Sequence, residues 1–226
     1  MINGKSVLLL FYQKPISMKM SVINPEINKG ILAIRKNDPI LKKIIDIVGD
    51  FDLYPKENQF GYLVRIIVGQ QLSINSARAI YSKLENKFNS NIIPEIIYEA
   101  NENLLIESGL SLSKTKAIKS LASEIIQNNL NLSEVSNLPN EAISDVLTKI
   151  KGIGPWTVQN YLIFVLVRLN ILPINDLAFR RAIKLNYRFK SIPNDADIKK
   201  ISMKWGNYQT IASWYLWETI NRKLVK

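Results

Sequence analysis

Between Lys149 and Leu169 the chain reads KIKGIGPWTVQNYLIFVLVRL, two apolar, helix-compatible segments separated by Gly-Ile-Gly-Pro. Glycine relieves the steric bar on tight turns, and proline, with its fixed φ and missing N–H, suits the first turn of a helix rather than its interior. The stretch therefore predicts a helix ending near Ile150, a turn built on Gly152 and Gly154, and a second helix opening at Pro155. The helical period dominates elsewhere too. PILKKIIDIVGD opens after Asp38 and carries Ile40, Leu41, Ile44, Ile45 and Val48 at helical spacing, with Gly49 as its stop. GYLVRIIVGQQ gives another helix, and INSARAIYSKLENKF a third, with Ile74, Ala77, Ile80, Tyr81 and Leu84 along its inward stripe. IPEIIYEA, NENLLIES, SKTKAIKSLASEIIQN and PNEAISDVLTKI add further helices, the third followed by an Asn-rich loop with no evident chemistry. Strand signals are weak, since Pro94 interrupts the Ile-rich NSNIIPEII. The fold class is all-α, a bundle of helices.

The chain has 226 residues, 47% of them hydrophobic, enough for a substantial core. YLIFVLV is too short to span a bilayer, which takes about 20 apolar residues, and reads as a fully buried central helix. Trp214, Tyr215 and Trp217 on the last helix read as packing. SVLLLFY, near the N-terminus, is likewise too short for a span and lacks a cleavage site after it. Met1 to about Ser21 has no sustained period and reads as a flexible arm. The expected setting is intracellular, cytoplasmic and nucleoid-associated or nuclear.

Thirty Lys and Arg against nineteen Asp and Glu give a formal charge of +11. Such an excess points to a polyanionic partner, because cations gain affinity by displacing counterions condensed on nucleic acid. An anionic membrane surface is the rival. The absences narrow the chemistry further. With no cysteine there is no disulfide, thiolate zinc site, cysteine nucleophile or Cys-ligated iron–sulfur cluster. With no histidine there is no Ser-His-Asp triad and no imidazole metal ligand, so acid–base work falls to carboxylates, lysine or tyrosine.

A Gly-x-Gly turn at a helix N-terminus presents backbone N–H groups unobstructed by side chains, and the helix dipole adds positive potential. A phosphate oxygen can sit there, with Lys149 and Lys151 alongside; a plain packing corner between helices is the alternative. From Leu147 to Lys190 the basic residues are Lys149, Lys151, Arg168, Arg180, Arg181, Lys184, Arg188 and Lys190, against one acid, Asp176. Nearby cations are expected to hold this carboxylate ionised by depressing its pKa. Asp176 reads as a base or electrostatic stabiliser, or as the N-cap of LAFRRAI, and the two roles are compatible.

KIKGIGPWTVQNYLIFVL followed by PINDLAFRRAI resembles the hairpin and downstream aspartate of the helix-hairpin-helix DNA glycosylase superfamily, above all its 3-methyladenine DNA glycosylase II branch. IIVGQQLSINSARAI, GLSLSKTKAIKSLA and WGNYQTIASWYLWE resemble further segments of that branch, so the likeness runs from about Phe60 to the C-terminus. The resemblance implies two lobes, 22–59 with 186–226 and 60–185, the second bearing the hairpin and Asp176, with the active-site cleft and duplex DNA at the seam. It places Asp176 on the catalytic aspartate and Trp156 where strand-cleaving relatives carry a Schiff-base lysine. Tryptophan cannot form that imine, so base release without strand cleavage is implied. Trp156, Asn160, Tyr161 and Tyr208 fall to the base pocket. Lys149, Lys151, Gly152, Ile153, Gly154, Gln70, Gln71, Leu72, Arg180 and Arg181 fall to DNA binding, with Gln71 or Leu72 filling the gap left by a flipped nucleotide. The chain departs from the branch at Asn160, Asn207 and Gln209, which bears on base preference.

The implied protein is a monomer acting on double-stranded DNA with a damaged base, without a membrane, cofactor or catalytic metal, and with a monovalent cation at the hairpin backbone as the one ion to consider. Its reaction is hydrolytic release of alkylated purines of the 3-methyladenine and 7-methylguanine type. A non-catalytic helix-hairpin-helix DNA-binding module and a glycosylase for deaminated or oxidised bases are the alternatives.

Overall fold

The computed structural model describes residues 24–225. The arm expected at 1–21, with its SVLLLFY run, lies outside them. Among the described residues there is no strand. The helices are α1 (Pro25–Asn37), α2 (Pro39–Val48), α3 (Gln59–Gly69), α4 (Ile74–Lys87), α5 (Pro94–Glu99), α6 (Glu102–Glu107), α7 (Leu112–Ile126), α8 (Leu132–Val135), α9 (Asn140–Leu147) and α10 (Pro155–Asn160). They continue with α11 (Leu177–Asn186), α12 (Asp195–Ser202) and α13 (Gln209–Asn221). A π-helical turn, Tyr161–Val165, extends α10, and a 3-10 turn, Met203–Trp205, follows α12.

Most starts are set by short polar caps that accept the orphan N–H groups of the first turn. Asn24, Asp38, Ser73, Ser111 and Asp176 do this for α1, α2, α4, α7 and α11. Pro25, Pro39, Pro94 and Pro155 stand in the first turns of α1, α2, α5 and α10.

The described residues form two compact units, one of 55–166 and one of 24–54 with 167–225. In the unit 55–166, α3 is buried along most of its length, from Phe60 through Val68. Helix α7 packs on α5, where Lys119 Nζ donates to the carbonyls of Ile97 and Ala100 at 3.1 and 2.7 Å. A cation thereby satisfies carbonyls that the short helix leaves unpaired.

In the other unit, every residue of α13 from Thr210 to Thr219 is buried, as befits a helix surrounded by packing. Phe51 meets Trp214 edge-on at 5.0 Å, and Phe179 meets Trp205 and Trp217 at 6.3 and 6.1 Å. Asp38 is fully buried here, its Oδ1 accepting from the N–H groups of Ile40 and Leu41 and its Oδ2 from Tyr187 Oη at 2.5 Å and Trp205 Nε1 at 3.0 Å.

The structure corrects three expectations. YLIFVLV does not continue as one helix: Leu166 N–H bonds back to Tyr161 O, and Val167 takes a left-handed φ of +53°. The boundary between units therefore falls at 166/167 rather than 185/186, and Asp176 folds with the N- and C-terminal segments instead of with the hairpin. Packing of Phe179 on Trp205 and Trp217, and the Tyr187–Asp38 bond, draw α11 there. The Asn-rich loop contains α8, capped by Asn131.

Candidate functional site

The hairpin occupies residues 148–154 of the unit 55–166. Helix α9 ends at Thr148, whose hydroxyl donates to Ser144 O at 2.7 Å. Ile150 and Ile153 then point into the core, at 7% and 3% exposure, and anchor the turn from both sides. Gly152 has φ +90°, and a Cβ there would lie 2.4 Å from Ala117 Cβ on α7. Glycine is thus required twice over, by backbone conformation and by contact with α7. Gly154 is extended, at φ −106°, with nothing within 4 Å of where a Cβ would stand. No side chain caps α10, so its first turn faces an open approach flanked by the exposed Lys149 and Lys151.

Of the residues assigned to DNA, Gln70 does something more local. Its Nε2 donates to Gly152 O at 3.0 Å and to Thr157 Oγ1 at 2.9 Å, tying the end of α3 to the hairpin. Gln71 follows it, exposed and left-handed at φ +55°, and Leu72 is half-buried. Lys114 Nζ donates to Val68 O at 2.8 Å and Gln70 O at 2.7 Å, and burial holds its pKa below the ordinary lysine value.

Trp156 is half-buried on α10, and Asn160, one turn on, is buried with its Nδ2 donating to Trp156 O at 2.7 Å. The structure brings these two together. Tyr161 is wholly buried with its hydroxyl donating to Gln59 Oε1, so its ring belongs to the core of its unit. Tyr208 lies in the other unit, its ring against Gly30 and its hydroxyl 3.3 Å from Glu26 Oε2.

Asp176 is the N-cap of α11. Its Oδ1 accepts from Phe179 N–H at 2.7 Å and from Trp217 Nε1 at 3.0 Å. The residue is only 9% exposed. Desolvation pushes its pKa up from the ordinary aspartate value, against the pull of the bonds from Phe179, Trp217 and Ala178 N–H. This reverses the expected depression by neighbouring cations, because the adjacent guanidinium is turned elsewhere. Arg180 Nε donates to Ile174 O at 2.7 Å, one terminal nitrogen to Pro193 O at 2.8 Å, and the other pairs with Asp195. Arg180 thus fixes the loop that presents Asp176 rather than offering a free cation to a ligand. Arg181 is half-buried beside it.

Sequence reasoning missed two residues. In the sequence Trp217 reads as packing, yet its indole N–H holds the carboxylate from 41 positions away, a contact with no local signature. Lys114 stood inside a recognised segment, but nothing in the spacing showed that its ammonium caps α3. Among the described residues no group of carboxylates is arranged to hold a metal ion, and no helix is long and apolar enough to cross a membrane.

These features define an all-α helix-hairpin-helix protein with a buried, doubly held carboxylate downstream of the hairpin. Residues 64–207 match the family described as HhH-GPD superfamily base excision DNA repair protein, and the chain belongs to that family. It is 32% identical over 184 residues to DNA-3-methyladenine glycosylase 1 of Schizosaccharomyces pombe, covering 79% of this chain and 81% of that protein. Among solved structures it resembles the Schizosaccharomyces pombe 3-methyladenine DNA glycosylase in complex with abasic DNA, at 30% identity and a TM-score of 0.75, over 85% of this chain and 97% of the other. A DNA-3-methyladenine glycosidase from Bacillus halodurans matches at 30% identity and a TM-score of 0.73, over 86% and 90% of the two chains.

Proposed function

We infer that this protein is a DNA N-glycosylase of base excision repair that releases alkylated purines from duplex DNA without cutting the strand. The observation that carries the reading is Asp176, a carboxylate held by a helix N–H and an indole N–H in a desolvated setting. Breaking the bond from C1′ to the base nitrogen sends both bonding electrons to the base and leaves oxocarbenium character on the sugar. A fixed anion lowers that barrier, and it does so more strongly where water is excluded. Water then forms the new C1′–O bond and gives its proton to the Asp176 carboxylate. The raised pKa makes this group a better proton acceptor than an exposed aspartate. A purine alkylated on a ring nitrogen is already cationic and leaves without a general acid, so a chain with no histidine loses nothing.

Absence of strand cleavage is supported by Trp156, which has no amine to form an imine at the position where the resemblance places the lyase lysine. The open first turn of α10 with Lys149 and Lys151 supports phosphate binding. A monovalent cation at the hairpin would rest on backbone carbonyls, of which Gly152 O already accepts from Gln70 and Ile150 O from Ile153 N–H.

The test is release of free base from methylated duplex DNA by the wild type and Asp176→Asn, with ethenoadenine, hypoxanthine and uracil duplexes in parallel. The expected result is methylpurine release by the wild type, leaving intact abasic strands, and a loss of at least about a hundredfold in the variant with DNA binding retained. Salt-sensitive binding with no release from any duplex would instead identify a non-catalytic DNA-binding module.

A further inference from the structure

Four observations within the unit 55–166 bear on one residue, Lys114. Lys114 Nζ spans the carbonyls of Val68 and Gln70, closing the C-terminal end of α3. The next residue, Gln71, is exposed in a left-handed conformation that L-residues rarely adopt and that needs holding in place. Gln70 itself reaches across to Gly152 O and Thr157 Oγ1 on both sides of the hairpin turn. Gly152, in turn, sits against Ala117, three residues along α7 from Lys114. Loop 70–72 and the hairpin are thus fastened to the same helix, one by an ammonium group and the other by close backbone contact.

We propose that Lys114 is a positioning residue for base extrusion, setting the 70–72 loop in register with the phosphate-binding hairpin. The proposal rests on the glycosylase reading, in which that loop fills the gap left by the flipped nucleotide. Lys114 touches no substrate. Its two bonds fix the Gln70 carbonyl and so the direction in which Gln71 and Leu72 leave α3. A methylene chain in its place leaves two carbonyls without their donor and frees the loop to move relative to the hairpin.

The effect should appear only where the enzyme itself must open the duplex. Lys114→Met and Lys114→Arg are compared with wild type in two measurements, and Gln70→Leu, which breaks the second link alone, in the first of them. The first is amide hydrogen exchange across residues 70–73 in the free protein. The second is single-turnover release of one alkylated base, either paired within the duplex or placed opposite an abasic site, where it has no pairing partner to give up. Lys114→Met is expected to exchange Gln71 and Leu72 about tenfold faster with α7 unchanged, and to release the paired base about tenfold more slowly, while release opposite the abasic site stays within about threefold. Lys114→Arg, which keeps donors at the site, recovers most of the paired-base rate, and Gln70→Leu, read by exchange alone, also speeds exchange of the loop amides. Equal slowing on both substrates, or unchanged exchange of the loop amides, overturns the proposal. Should the wild type release no base from either substrate, the glycosylase reading falls, and the exchange measurement alone decides whether Lys114 holds the loop.

Discussion

Two aspartates in the unit 24–54 with 167–225 show how the same local device serves different ends. Asp38 and Asp176 both cap a helix, and each accepts an indole N–H at 3.0 Å. Asp38 is fully buried with two donors on each oxygen, a carboxylate whose lone pairs are spent on the fold. Asp176 retains 9% exposure and a pKa raised mainly by desolvation. In the proposed reaction it is the ionised form that works, so the single-turnover rate on a methylated duplex should fall on acidification, beginning above the ordinary aspartate value of about 3.9. The Trp217 bond favours the ionised carboxylate and lowers its pKa. Trp217→Phe removes that bond, raises the pKa further and is expected to move the acid limb of the rate to higher pH. A pH–rate profile of the two proteins decides it; a limb left in place would mean that Trp217 only packs.

At the scale of elements, the starts of helices were the most legible feature, because caps and prolines act within a few residues. Asp38-Pro39 and the Gly-Ile-Gly-Pro hairpin could be read directly, and they stand where expected. The π-helical turn at Tyr161–Val165 could not, since YLIFVLV contains no residue that breaks a helix and the change is set by packing within the unit. Trp217 was illegible for the same reason: its partner is distant in sequence. The two hairpin glycines look alike in sequence but differ in space, and that difference is testable. Gly152→Ala meets both a left-handed φ and Ala117 Cβ at 2.4 Å, so it should destabilise the protein by about 2–4 kcal/mol. Gly154→Ala has an extended backbone and open space. Its thermal midpoint should stay within a few degrees of wild type, while the added methyl narrows the approach to the α10 N–H groups and weakens duplex binding. Melting curves with binding isotherms separate the two outcomes, and equal melting losses would show that Gly154 is also a packing glycine.

At the scale of the whole molecule, a charge of +11 indicates a polyanion without saying which cations meet it. The structure reduces the number that can. Arg180 is spent on Ile174, Pro193 and Asp195, Lys119 on the carbonyls at the end of α5, and Lys114 on those of α3. Lys149 and Lys151 remain exposed beside the hairpin. Each phosphate contact releases condensed counterions and contributes about −0.9 to the slope of log affinity against log salt. The double variant Lys149→Gln/Lys151→Gln should therefore make that slope shallower by about 2 if both ammonium groups meet phosphates. The loss should be the same on damaged and undamaged duplexes, because phosphates carry no information about the base. Asp176→Asn, measured in the same titrations, should leave the slope where it was. A slope unchanged by the double variant would move the phosphate contacts to other exposed lysines, and the hairpin would then bind through its backbone N–H groups alone.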